Sequence, residues 1–197
     1  MYTIVGIDEA GRGPLAGPIS VAAVVATANR KQILNSKYLI HNSLKGIRDS
    51  KKFSAKQRGE WLEVLNNNFE YKVAMVGPQV IDKIGIQRAT RLAIARTLRR
   101  LPKKPDLVLL DGRLKAPKNY NQKTIIKGDE KIPIISAASI VAKVYRDKKM
   151  QRLHKIYSDY YFDCHKGYGT KLHYKMIKKH GTSTLHRQSY LKNLNKK

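Results

Sequence analysis

The sequence predicts an α/β protein built on a mixed sheet of five strands flanked by helices, with a small helical extension at the C-terminal end. Three observations carry that expectation. Two apolar runs at the start are joined by a short glycine- and proline-rich turn, so they read as an antiparallel pair. Later apolar runs alternate with stretches of helical period, which adds parallel pairing. The apolar runs also finish on acids, and in open sheets of this kind ligands sit beyond the strand termini.

The first strand opens with Tyr2, Thr3, Ile4 and Val5, aromatic or β-branched residues suited to a buried strand. It ends on Asp8 and Glu9. Two unpaired acids there would be costly to bury, so a cation is expected beside them. Neighbours on a regular strand point to opposite faces, and these two carboxylates can share one ion only where the pleat is broken. Gly11 and Gly13 permit such a break and a close backbone approach to a ligand. Arg12 between them supplies a cation suited to phosphate. The plainer reading, an acidic strand end capping a turn, loses ground as further acids appear downstream.

Residues 19–26 form the second strand, pairing back on the first. A loop carrying Lys45, Arg48, Asp49, Ser50, Lys51 and Lys52 leads to Ser54, the expected cap of a helix over 55–68. Residues 71–76 alternate as a third strand. From 79 to 100 the apolar spacing is helical, with Gly85 dividing two helices, and Pro102 and Pro105 follow the stop. The fourth strand, 107–112, is apolar throughout, hence interior, and carries Asp111 near its end. A fifth, 123–128, ends at Asp129. A helix over 136–155 begins with small residues that can pack against the sheet and turns basic in its second half. Aromatic residues 157–162, a loop over 165–169 and a helix capped by Thr170 through His180 precede a basic tail. This divides the chain into a catalytic domain, 1–156, and a C-terminal helical substrate-binding subdomain, 157–197.

Composition narrows the function. In 197 residues there are 40 Lys plus Arg against 14 Asp plus Glu, a formal charge of +26. Such a surface repels itself unless it meets a polyanion, which points to nucleic acid ahead of acidic membrane. No apolar run approaches the roughly 20 residues of a spanning helix, and no signal peptide is read at the start, so a cytoplasmic protein is expected. The single cysteine, Cys164, agrees with a reducing compartment. His165, His173, His180 and His186 lie near it, but their spacing fits no common zinc pattern.

Hard oxygen ligands without thiolate or histidine favour Mg²⁺ or Mn²⁺. An acidic pit inside a basic protein is the arrangement expected for metal-assisted phosphodiester cleavage, with one ion activating water and another stabilising the leaving oxygen. The 11–13 loop has neither the lysine–serine pair of a P-loop nor the full dinucleotide fingerprint, and no serine lies in a nucleophile elbow.

The segments 6–18, 49–52, 110–112, 127–129, 136–143, 165–170 and 186–187 resemble those of bacterial ribonuclease HII, in order and along nearly the whole chain. The resemblance implies a ribonuclease H-like fold and an endonuclease that cuts the RNA strand of RNA–DNA hybrids. Single ribonucleotides embedded in duplex DNA are included, and the ends left are 5′-phosphate and 3′-hydroxyl. It also implies that Asp8, Glu9, Asp111 and Asp129 bind the metal ions. Asp129 is preferred to Asp147, which falls well inside a helix and is expected to pair with a neighbouring lysine or arginine.

By the same resemblance Gly11, Arg12 and Gly13 read the ribose 2′-hydroxyl, the group that separates RNA from DNA at a given sugar. Tyr168 stacks on the deoxyribose past the junction. Lys51, Lys52, Lys143 and Arg187 hold phosphates and Ser136 joins the nucleic-acid contact, whereas Ser139 reads as a packing residue. Phe53, Tyr145 and Tyr190 depart from the family's leucine, threonine and phenylalanine, and none is expected to touch the chemistry. Ribonuclease HIII, which carries an extra N-terminal domain, fits less well because the first acid is residue 8. A junction resolvase on the same fold and a non-catalytic nucleic-acid binder are the other readings. The protein is expected to work as a monomer, with a replication clamp as a further partner through its tail.

Overall fold

The structure is a computed structural model and describes residues 1–28 and 42–192. The expected tail from 193 onward lies outside the described residues. The strands are β1 (Tyr2–Ala10), β2 (Ile19–Ala28), β3 (Tyr71–Val76), β4 (Leu107–Asp111) and β5 (Gln122–Ile125), and they form one sheet in the order β3-β2-β1-β4-β5. Pairs β1–β2 and β2–β3 are antiparallel, while β1–β4 and β4–β5 are parallel. This is the five-stranded mixed sheet expected from the sequence, with β4 in the interior.

Helices cover both faces. They are α1 (Ala55–Asn68), α2 (Pro78–Ile84), α3 (Ile86–Arg99), the one-turn α4 (Gly128–Lys131), α5 (Pro133–His154), α6 (Phe162–His165) and α7 (Lys171–His180). Ser54 and Gln57 close a reciprocal capping box on α1, and Gly85 divides α2 from α3 with φ at +79°. Thr170 accepts from the His173 N–H and so caps α7. The helix expected from residue 136 begins earlier, at Pro133, whose fixed φ and missing N–H suit a first-turn position.

Alternation along β1 assigns its residues to two cores. Ile4 and Ala10 pack with α1 and α5 residues such as Leu65, Ile134, Ala138 and Val141. Val5 and Ile7 pack with Ala89, Ala93 and Ile94 of α3. Between them Gly6 faces α5 so closely that a Cβ added there would lie 2.4 Å from the Ile134 carbonyl oxygen. No side chain fits at that position between strand and helix.

The C-terminal elements gather round a third cluster, in which Tyr160, Phe162 and Met176 meet Ala16, Met150 and Leu153. Three histidines lie against it. His165 stacks on His173 at 4.3 Å between centroids, and His173 Nε2 stands 3.1 Å from His186 Nε2. Spacing along the chain gave no sign of this grouping, because loops rather than one helix bring the rings together.

Gly6→Ala is expected to cost about 1–3 kcal/mol by forcing α5 off the sheet, read as a lower urea midpoint. A second expectation concerns acid. Burial, with the neighbouring imidazoles adding to it, lowers the pKa values of His173 and His186 to about 4 from the ordinary 6.5. The folded chain therefore binds fewer protons than the unfolded chain between these values, and the histidine contribution is whole above about pH 6.5 and lost as pH falls toward 4. Stability followed by urea titration across that window should fall more steeply in the wild type than in His186→Gln; equal slopes would mean the rings titrate normally.

Candidate active site

Asp8, Asp111 and Asp129 each place one carboxylate oxygen so that the three lie within 4.8 Å of one another. Sheet register explains two of them. Asp8 follows Ile7, which pairs with Leu110, so Asp111 ends the neighbouring parallel strand at the same level. Both belong to the alternation that faces α5. Asp129 arrives differently from its expected place: β5 ends at Ile125, and Asp129 lies on α4 after Lys127 turns the chain with φ at +56°. Asp111 Oδ1 anchors that turn by accepting from the N–H groups of Gly128 (2.7 Å) and Asp129 (3.2 Å).

Glu9 departs from expectation. The pleat is not broken after Asp8, since β1 continues through Ala10 with Glu9 opposite Val21. Glu9 therefore points to the α3 face and stands outside the tight group of three. It lines a cleft with Thr90, Arg91, Asp111 and Arg113, and its Oε1 lies 3.4 Å from Arg12. Its buried Oε2 has no hydrogen-bond partner among the described residues. Asp8 and Glu9 thus flank Asp111 from opposite faces of the strand.

The electrostatics of the group show what it lacks. Burial, then the charges of Glu9 and Asp111, hold the Asp8 carboxyl well above its ordinary range. Burial and Asp111 likewise raise Asp129, and burial raises Glu9. Lys51 answers part of this excess from the rim, with Nζ 3.3 Å from Asp129 and 3.6 Å from Asp49. Burial would lower its ammonium pKa, but the carboxylates outweigh that and raise it. All-oxygen donors, repelling one another beside an unpartnered carboxylate oxygen, fit a hard divalent cation such as Mg²⁺ or Mn²⁺.

Neutral groups fix the acids from behind. Ser139, expected to be a packing residue, lies with its hydroxyl 2.9 Å from that of Ser50 and favours the charged form of Asp8, against the burial that raises it. Ser136 is 2% exposed and donates to the Asp129 carbonyl at 2.7 Å. It is therefore a support for α4 and not the nucleic-acid contact expected of it.

Arg187 is a second correction. It is fully buried and donates to the carbonyls of Gly11 (2.6 Å), Arg12 (2.8 Å) and Gly17 (2.9 and 3.1 Å), so it cannot hold a phosphate. Arg146, not singled out by the sequence, is equally buried and donates to Pro18 and Ala16. A Cβ on Gly11 would fall 2.0 Å from Arg146 Nε, which is why glycine stands there. Tyr190 also reaches this loop, donating to the Arg12 carbonyl at 2.8 Å, so one of the three departures does touch the site's support.

The remaining candidates are surface groups. Gly13 has open space around it, and the Arg12 side chain is 46% exposed. Lys52 lies at the rim, 4.0 Å from Glu130. Lys143 pairs with Asp147 at 2.9 Å, the pairing expected for that acid, and stands 5.6 Å above the Tyr168 ring. Tyr168 is 41% exposed.

Replacing Arg187 by alanine takes the guanidinium donors from the buried Gly11 and Gly17 carbonyls, leaves the Arg12 carbonyl to Tyr190, and should cost about 3 kcal/mol or more. Arg187→Lys should not restore the loss, since an ammonium cannot span the same fork. Thermal unfolding of both variants checks this.

Comparison with known proteins shows the family. The Ribonuclease HII family model matches residues 5–193. A Ribonuclease HII from Caldicellulosiruptor bescii is 45% identical over 192 residues, covering 97% of this chain and 87% of its own. Among solved structures, ribonuclease H2 from Pyrococcus horikoshii OT3 superposes with a TM-score of 0.75 at 24% identity, covering 98% and 97% of the two chains. RNase HII of Archaeoglobus fulgidus, solved as a complex with PCNA, gives 0.74 at 26% identity, covering 95% and 94%. With its carboxylates gathered at the end of a mixed sheet, and with these relatives, the chain belongs to the ribonuclease HII family and is a ribonuclease H.

Proposed function

We propose that this enzyme cleaves the RNA strand of RNA–DNA hybrids and nicks duplex DNA on the 5′ side of a single embedded ribonucleotide, leaving 5′-phosphate and 3′-hydroxyl ends. The observation that carries the reading is the convergence of Asp8, Asp111 and Asp129, with Glu9 at their flank, in a protein of charge +26. These four carboxylates would hold two Mg²⁺ or Mn²⁺ ions, which when bound supply an activated water and neutralise the leaving oxygen. Ser139 favours the charged form of Asp8, and the Asp111 contacts to α4 keep Asp129 turned toward it.

Substrate choice rests on the surface groups. Gly11, Arg12 and Gly13 lie on a loop whose carbonyls are tied down from inside, which leaves a rigid backbone edge to read a 2′-hydroxyl. Tyr168 offers an aromatic face to the deoxyribose beyond the junction, and Lys51, Lys52 and Lys143 offer charge to phosphates. Residues 157–197 act as the substrate-binding subdomain. The PCNA complex of the Archaeoglobus relative supports docking of a replication clamp. Among the described residues no helix is long and apolar enough to cross a membrane, and we place the working protein, a monomer, in the cytoplasm.

Product mapping on a duplex with one ribonucleotide tests the reading. Nicking is expected 5′ of that nucleotide, dependent on Mg²⁺ or Mn²⁺, and equal cutting of all-DNA duplex would favour a resolvase instead. For Asp8→Asn, turnover should fall about a hundredfold or more while the hybrid is still bound. Loss of binding in its place would make the acids structural.

A further inference from the structure

The buried histidines take no part in the chemistry above, yet their hydrogen bonds run in one direction. The Ser183 N–H donates to His186 Nδ1 at 2.9 Å. A neutral imidazole that accepts on one nitrogen carries its hydrogen on the other, so His186 is protonated at Nε2. That nitrogen faces His173 Nε2 at 3.1 Å, which makes His173 the acceptor there and puts its hydrogen on Nδ1. His173 Nδ1 then donates to the Tyr168 carbonyl at 2.9 Å. The third ring is satisfied separately: His165 accepts from the Gly167 N–H on Nδ1 and donates from Nε2 to the Tyr160 carbonyl. Each tautomer follows from its neighbours.

The far end of this path is fixed to the glycine-rich loop. His186 bridges Ala16, and the Arg187 N–H donates to the Leu15 carbonyl at 2.7 Å, while the Arg187 guanidinium holds Gly11, Arg12 and Gly17. From the other side the Gly167 carbonyl accepts from the Leu15 and Ala16 N–H groups. Residues 186 and 187 thus connect the 11–13 loop to the backbone of Tyr168.

We propose that His186 and His173 are positioning residues, a neutral imidazole relay that sets Tyr168 against the 11–13 loop and thereby tunes discrimination between an RNA–DNA junction and a continuous hybrid. This rests on the reading of Tyr168 as the contact to the junction sugar. Neither ring touches substrate. Their effect is transmitted through one carbonyl, and small displacements of a contacting group are enough to alter relative rates.

Two measurements test it. Long-range proton–nitrogen correlation on the full-length protein at neutral pH should find the His173 hydrogen on Nδ1 and the His186 hydrogen on Nε2. The converse for His173 overturns the relay, and this readout needs no variant. The second is the ratio of kcat/KM on a single-ribonucleotide duplex to that on a long hybrid. His173→Asn keeps an amide donor near the Nδ1 position, whereas His173→Gln moves its amide toward the place of Nε2. The ratio should drop about tenfold in His173→Gln, as in Tyr168→Ala, and stay within about threefold of wild type in His173→Asn. Equal ratios in the two His173 variants overturn the relay. A Tyr168→Ala enzyme with an unchanged ratio refutes instead the junction reading on which the proposal rests.

Discussion

The distance between the α5 backbone and β1 governs the active end of this molecule. At Gly6 the two backbones meet with no room for a methyl group, and that contact sets the height of everything α5 carries. Ser136 meets the Asp129 carbonyl, Ser139 acts on Asp8, and about two turns past Ser139 the Arg146 side chain slides beneath the 11–18 loop. Helix rise and strand rise are fixed quantities, so a single close contact places all three side chains at once. A larger residue at position 6 would lift them together.

The carboxylates are brought together against their own repulsion. Backbone N–H groups, the Ser139 hydroxyl and the Lys51 ammonium offset part of it, while burial first and neighbouring charge second keep the pKa values of Asp8, Glu9 and Asp129 raised. Burial behind Asp8 keeps water from screening the group on that side. Glu9 extends the negative field to the opposite face of the sheet, so charge is offered to a ligand from both sides of Asp111.

Much of the frame could be read from residue order. Ser54 with Gln57, the division at Gly85 and the apolar run at 107–111 are local signals, and each element lies where its signal put it. Asp8 and Asp111 were legible because strand ends of one sheet share one rim. The errors came from tertiary packing. Residue order alone puts Asp129 at a strand end, since nothing local announces that Lys127 takes a left-handed turn. Arg187 and Ser136 have the chemistry of surface contacts and became buried supports because one reaches inward to the carbonyls of the glycine-rich loop and the other packs against the carbonyls of Asp129 and Ile132. Ser139 belongs to a small-residue helix, and only the register of α5 on β1 brings its influence to Asp8.

Among the described residues Arg146 and Arg187 are supported by carbonyls and no carboxylate, a combination with a practical consequence. Their contacts are sealed from mobile ions, while the lysines at the rim are open to them. Concentrated salt therefore strips a polyanion from the surface and leaves the glycine-rich loop standing, which makes grip adjustable by ionic strength and architecture indifferent to it.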